Sequence, residues 1–135
     1  MSHTIQPERW AKPKGYANGV LVPAGSATLY VAGQIAWDEH QNLVGKHDFG
    51  TQFRQALANV VEVVRTAGGE PSDLVDMTIY VTDKQRYVND IAQVGAAWKE
   101  LIGRHFPAMA LVQVADLLEE HALVEIQAVA ALQDA

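Results

Sequence analysis

Two stretches of this chain repeat their apolar residues at three- and four-residue steps, and they limit the architectures open to it. In residues 50–67 the stripe is Phe53, Leu57, Val60, Val64 and Ala67, widened by Val61. Gln52, Arg54, Gln55, Asn59 and Glu62 fall largely on the other face, and Gly68-Gly69 supplies a stop. The second stripe is Tyr87, Ile91, Val94, Trp98, Leu101 and Ile102, opened by a cap at Thr82 or Asp83 and ended by Gly103. The other apolar runs alternate as strands do. Residues 74–82 set Val75, Met77, Ile79 and Val81 against Asp76, Thr78, Tyr80 and Thr82. Residues 108–114 set Ala110, Val112 and Val114 against Met109, Leu111 and Gln113. Residues 122–130 set Val124, Ile126, Ala128 and Ala130 against Leu123, Glu125, Gln127 and Val129. Nearer the N-terminus, residues 19–23 and 28–32 read as a hairpin turning at Ala24-Gly25-Ser26. Residues 37–47 read as a polar excursion with room for a short strand, and residues 1–15, with Pro7, Pro13 and Gly15, as an irregular arm.

Two helices cannot cover both faces of a sheet of about six strands. The expected fold is therefore α+β, a mixed sheet with both helices packed on one face, held by Val75, Ile79, Val112 and Ile126. The second face would carry Tyr80, Met109, Leu111, Leu123 and Val129 among Asp76, Thr78, Glu125 and Gln127, too apolar a mixture to stand in water. Burial against further copies of the chain, as a homo-oligomer, removes the difficulty. Charged residues are 19% of the chain, below the roughly 25% of average soluble domains, which points toward a surface partly covered by another subunit. With no repeat or linker in its 135 residues, the chain is expected to be one domain, 1–135.

Charge and composition narrow the chemistry. The net charge is −6 and the Lys and Arg residues are scattered, only Lys12/Lys14 and Lys84/Arg86 coming close together. Duplex nucleic acid needs a basic face, so it is not an expected partner. With no cysteine, a disulfide scaffold, a thiol nucleophile and a Cys-ligated metal are excluded. His3, His40, His47, His105 and His121 lack metal-ligand spacing, and no metal is expected. Three serines without a G-x-S-x-G elbow offer no hydrolase triad. Residues 1–14 are polar, unlike a signal peptide, and no apolar run nears the roughly 20 residues that span a bilayer. The expected location is the cytoplasm, without a membrane partner. Trp10, Trp37 and Trp98 are expected to pack. Glu125 is the carboxylate of interest, set on the second face between Val124 and Ile126. In a partly buried interface it would suit general acid/base work; an edge or interface ion pair is the other role the residues leave open.

Five segments, in order, carry a family resemblance. Val31-Ala32-Gly33-Gln34-Ile35 is similar to V-S-G-Q-I, and residues 51–60 to a Q-x-R-Q-A-L-x-N-[VL] helix. Residues 73–83 are similar to D-[VI]-V-K-x-T-V-[FY]-[VL]-x-D, Phe106-Pro107-Ala108 to F-P-A-R, and Val124-Glu125-Ile126-Gln127-Ala128 to [VI]-E-I-E-A. From about Tyr16 to Leu132 the chain thus resembles the Rid/YjgF (reactive intermediate deaminase) family, also labelled endoribonuclease L-PSP. The resemblance implies a chorismate-mutase-like fold assembled as a trimer around a central β-barrel, with small-molecule clefts between subunits. It implies hydrolysis of enamines or imines such as 2-aminoacrylate to keto acids and ammonia, without metal or organic cofactor. In such proteins the arginine of F-P-A-R binds the substrate carboxylate and the first glutamate of the last motif orients or activates water.

The chain departs from that pattern where the anion is held. Met109 stands at the arginine position, and a thioether cannot pair with a carboxylate. Ala32 replaces Ser or Thr, Leu111 a small residue and Gln127 the second Glu, and the second helix gains about a turn near residues 85–88. The resemblance leaves Glu125 as the catalytic residue and Tyr16, Gly33, Met109 and Leu111 as substrate-binding residues. Arg104 or a cation of a neighbouring subunit would be the substitute anchor. The expected activity is an enamine/imine deaminase-like hydrolase acting on a larger or more apolar substrate. The alternative is a non-catalytic small-molecule-binding or regulatory module using the same cleft.

Overall fold

In the computed structural model, which describes residues 1–133, the elements run β1 (His3–Ile5), β2 (Gly19–Leu21), β3 (Ala27–Gln34), α1 (Phe49–Thr66), β4 (Leu74–Val81), α2 (Lys84–Asn89), α3 (Ile91–Leu101), β5 (Ala108–Gln113) and β6 (Val124–Leu132). Asp134 and Ala135, the end of the expected domain 1–135, lie outside the described residues. The main sheet has the order β3-β6-β4-β5. β6 runs antiparallel to both neighbours, and β4 and β5 are parallel. The α1 stripe packs on this sheet as its period predicts: Phe53, Leu57, Val60 and Val64 join Met77, Ile79, Val81, Ile126 and Ala128 in one buried core, which Val94 and Trp98 of α3 complete. α1 begins at Asp48, whose side chain accepts the Thr51 N–H at 3.2 Å, and ends before Gly68 at φ +89. The fold is α+β with a mixed sheet, as expected.

Several details differ from the expectation. The sheet has four strands rather than about six, and the expected hairpin is absent. β2 pairs instead with β1, which lies inside the supposedly irregular arm, as a separate two-stranded sheet. β3 pairs along its length with β6, so its partner lies far away in sequence. Residues 37–47 hold only a Trp37–Leu43 bridge. The second helix is broken at Asp90 into α2 and α3, giving three helices; the Asp90 carboxylate accepts the Gly50 N–H at 3.1 Å and so faces the start of α1. A register shift between Leu74 and Asp76 gives the helix face Leu74, wholly buried, where Val75 was expected. Leu123 packs against the core, not on the second face. Trp10 does not pack, being 63% exposed, whereas Trp98 is buried.

The largest correction concerns β5. Its register sets Met109 beside Met77 and Leu111 beside Ile79, and paired residues of parallel strands share a face. Met109 and Leu111 therefore lie on the helix side, against the core, and Ala110 and Val112 on the open side. Alternation divides a strand into two sets, but it does not say which set the helices cover. The open face, corrected, carries Tyr30, Tyr80, Ala110, Val112 and Val129 among Asp76, Thr78, Glu125 and Gln127, with Tyr30 78% exposed.

Candidate functional site

On the open face, β6 sets Glu125 opposite Tyr80 of β4. Toward the other neighbour, β3 shifts register between Val31 and Gln34, and this irregularity brings Gly33 over the Glu125 carboxylate. A Cβ at position 33 would lie 2.6 Å from Glu125 Oε2 and 2.8 Å from its Cδ, so only glycine leaves the carboxylate where it is. The chain beyond Gly33 is tied down from α1. Asn59 Nδ2 donates to the carbonyls of Ile35 at 3.1 Å and Trp37 at 2.8 Å, while Asn59 Oδ1 accepts from Gln55 Nε2 at 2.9 Å. Glu125 is half-buried. The ion pairs of the described residues involve Glu39, Glu70, Glu100 and Glu120, and not Glu125.

Tyr16, Met109 and Leu111 form a second group. The Ala17 N–H donates to the Pro107 carbonyl at 2.9 Å, and Ala17 bridges Ala108, which sets the arm alongside β5. There Tyr16, Met109, Leu111, Lys14 and Tyr87 line a cavity of about 150 Å³. A larger cavity of about 640 Å³ opens beside it between α3 and the chain leading into β5, and shares Lys14, Tyr87 and Met109. Burial raises the Tyr87 phenol above its ordinary pKa. Arg104 lines the larger cavity.

The structure thus brings Gly33 to Glu125, and Tyr16 to Met109 and Leu111, but it does not bring the two groups together. β5 turns Met109 and Leu111 to the helix side, while Glu125 lies on the open face. A single site using all five residues requires a second chain. Sequence reasoning missed Lys14 and Tyr87. Lys14 counted only as half of a loose pair, and Tyr87 as one member of an apolar stripe; the extra turn near residues 85–88, now α2, was the available signal. Among the described residues no cluster of three or more His, Asp or Glu is placed to share a metal ion, and no helix is long and apolar enough to cross a membrane.

Known proteins resemble this chain over nearly all its length. The family model described as endoribonuclease L-PSP matches residues 11–132. A RutC family protein of Pyrococcus horikoshii is 33% identical over 131 residues, 96% of this chain and 98% of that protein. The crystal structure of a protein of unknown function from the conserved Rid family of Yersinia pestis superposes with a TM-score of 0.82 at 34% identity, covering 97% of this chain and 98% of the other. E. coli TdcF, crystallised with bound serine, gives a TM-score of 0.66 at 29% identity over 97% of this chain and 99% of its own.

Proposed function

This chain belongs to the Rid/YjgF family, the endoribonuclease L-PSP family of the matching model, and on that premise we propose that it hydrolyses enamines or imines in a cleft between subunits. The observation that carries the reading is the pairing of Gly33 with Glu125. A half-buried carboxylate on an open face, in no ion pair with a described residue, lies where any Cβ at position 33 would displace it. In the reaction water adds to the imine carbon and Glu125 takes its proton. Glu125 passes that proton to nitrogen, giving a carbinolamine; the C–N bond then breaks as the hydroxyl proton, also relayed by Glu125, joins the nitrogen, which leaves as ammonia and gives the carbonyl product. The separation of Glu125 from Met109 within one chain accords with a cleft built by two chains. One subunit would supply Gly33 and Glu125, and its neighbour Tyr16, Met109 and Leu111. That TdcF holds serine supports a small-molecule cleft on this fold. Met109 and Leu111 make the substrate side apolar and favour a larger side chain than that of 2-aminoacrylate.

The test compares wild type and Glu125→Gln on enamines of increasing apolar size, following ammonia release. Turnover that rises with apolar size and disappears in Glu125→Gln is expected; equal turnover in both proteins refutes the role of Glu125. A binding module without turnover is the second reading, favoured by the cavity at Met109, which exists in one chain without Glu125. Thermal stabilisation by a ligand with no ammonia release would identify it.

A further inference from the structure

The larger cavity, between α3 and the chain leading into β5, has a composition that selects a ligand. At about 640 Å³ it falls within the roughly 300–1,000 Å³ of small-molecule sites. Its walls include Val94, Trp98, Phe106 and Met109, with Trp98 and Phe106 stacked at 5.5 Å and 4°. Its charged lining residues are Lys14, Lys99 and Arg104, with no Asp or Glu among them, in a chain whose net charge is −6. The Lys and Arg ion pairs of the described residues use Arg54 and Arg65, not these three. Gly95 faces the same cavity from the interior of α3. It has no positive φ, and a Cβ there would meet nothing within 4 Å. Neither backbone nor packing within the chain calls for glycine, the poorest helix former after proline. What its missing side chain does is keep the groove open.

We propose that this groove binds an amphipathic carboxylate, with an aromatic or branched apolar body against Trp98 and Phe106 and one anionic end held by Lys14, Lys99 and Arg104. Apolar walls desolvate the body, and three cations among the lining residues, with no Asp or Glu there, favour an anionic end. The inference rests on the binding reading of this cavity and names its ligand class; it is independent of the hydrolase reading, because neither Glu125 nor a second chain is needed to form the groove.

The test titrates 4-phenylbutyrate and its neutral amide into the intact protein, following heat and melting temperature, with light scattering in parallel. The acid is expected to bind, and the amide about ten- to a hundredfold more weakly for want of charge-assisted hydrogen bonds. Replacing Lys14, Lys99 and Arg104 together by Gln should lower the acid to the affinity of the amide. Gly95→Leu, which fills the groove from an unobstructed position, should abolish binding of both, and Glu125→Gln should bind as wild type does. Equal affinity for acid and amide overturns the anionic end, and undiminished binding in Gly95→Leu overturns the location. If folded wild type shows neither heat nor a melting shift with millimolar 4-phenylbutyrate, the proposal fails. Should Gly95→Leu also change the assembly size, the groove is a contact between copies of the chain instead. Loss of turnover with intact binding in Glu125→Gln keeps this result separate from that of the hydrolase test.

Discussion

Gly33 and Glu125 form a contact that one methyl group would disrupt. In Gly33→Ala the added carbon meets the carboxylate end of Glu125, which must swing away, while the backbone need not move. The variant is expected to melt near wild type and to lose turnover as Glu125→Gln does; full activity would show that the carboxylate need not stay where it is. Met109→Arg tests the missing anchor. A charge-assisted pair in a partly desolvated cleft is worth about 2–5 kcal/mol, so the variant should gain roughly 30-fold to several-thousand-fold on 2-aminoacrylate. Lys14 lines the same cavity. If wild type is already fast and Lys14→Gln slows it, Lys14 is the anchor. Gln52 was expected on the polar face of its helix but is wholly buried. Its amide donates to the carbonyls of Gly45 and His121 at 3.2 and 3.0 Å and accepts the Leu123 N–H at 2.8 Å. Gln52→Leu leaves those groups unpaired and should destabilise by about 3 kcal/mol in denaturant melts. Glu125 and Gly33 were legible from alternation and motif; the burial of Gln52 was not, because its partners lie in loops distant in sequence.

Periods located the helices and strands better than they oriented them. α1, β4 and β6 lie where their patterns put them, and Ile79→Ala and Trp98→Ala should each cost about 2–5 kcal/mol through cavities in the shared core. Glu62→Ala, on the exposed side of α1, should change little; equal losses from all three would mean that the faces are misassigned. Gly95→Ala should stabilise α3 by about 0.5–1 kcal/mol, since the new methyl touches nothing in the chain. Arg54 and Glu100 join α1 to α3 at 2.7 Å, and the guanidinium lowers the Glu100 pKa below its ordinary value. Because the folded value is depressed, the small stabilisation is complete above the unfolded pKa and fades as pH falls through the folded one. Glu100→Gln should flatten the acid limb of a melting-temperature profile, and salt should weaken the effect in wild type. The break between α2 and α3 was illegible, because the Asp90 contact that accompanies it reaches back to Gly50. The side to which β5 turns was illegible for a different reason, since both of its alternate sets carry apolar residues.

At the scale of the whole molecule, the open face lacks Met109, Leu111 and Leu123, which pack against the core, and is still too apolar to stand in water. Tyr30, Tyr80, Val112 and Val129 are the apolar residues there that a second copy would cover. Light scattering at micromolar concentration should report a trimer, and Tyr30→Glu should shift it toward monomer; a wild type that is monomeric there contradicts the assembly. The strand order has a further consequence, during synthesis. β6 follows every other strand in the chain yet lies between β3 and β4. Ala27 of β3 waits for its partner Leu132, a delay of roughly 5–20 s at about 5–20 residues per second. Throughout that interval β3 is a nascent strand with both edges unpaired, open to other nascent chains or to a chaperone. Substitutions that make β3 more adhesive should therefore lower the yield of soluble protein while leaving the melting temperature of the recovered molecule unchanged.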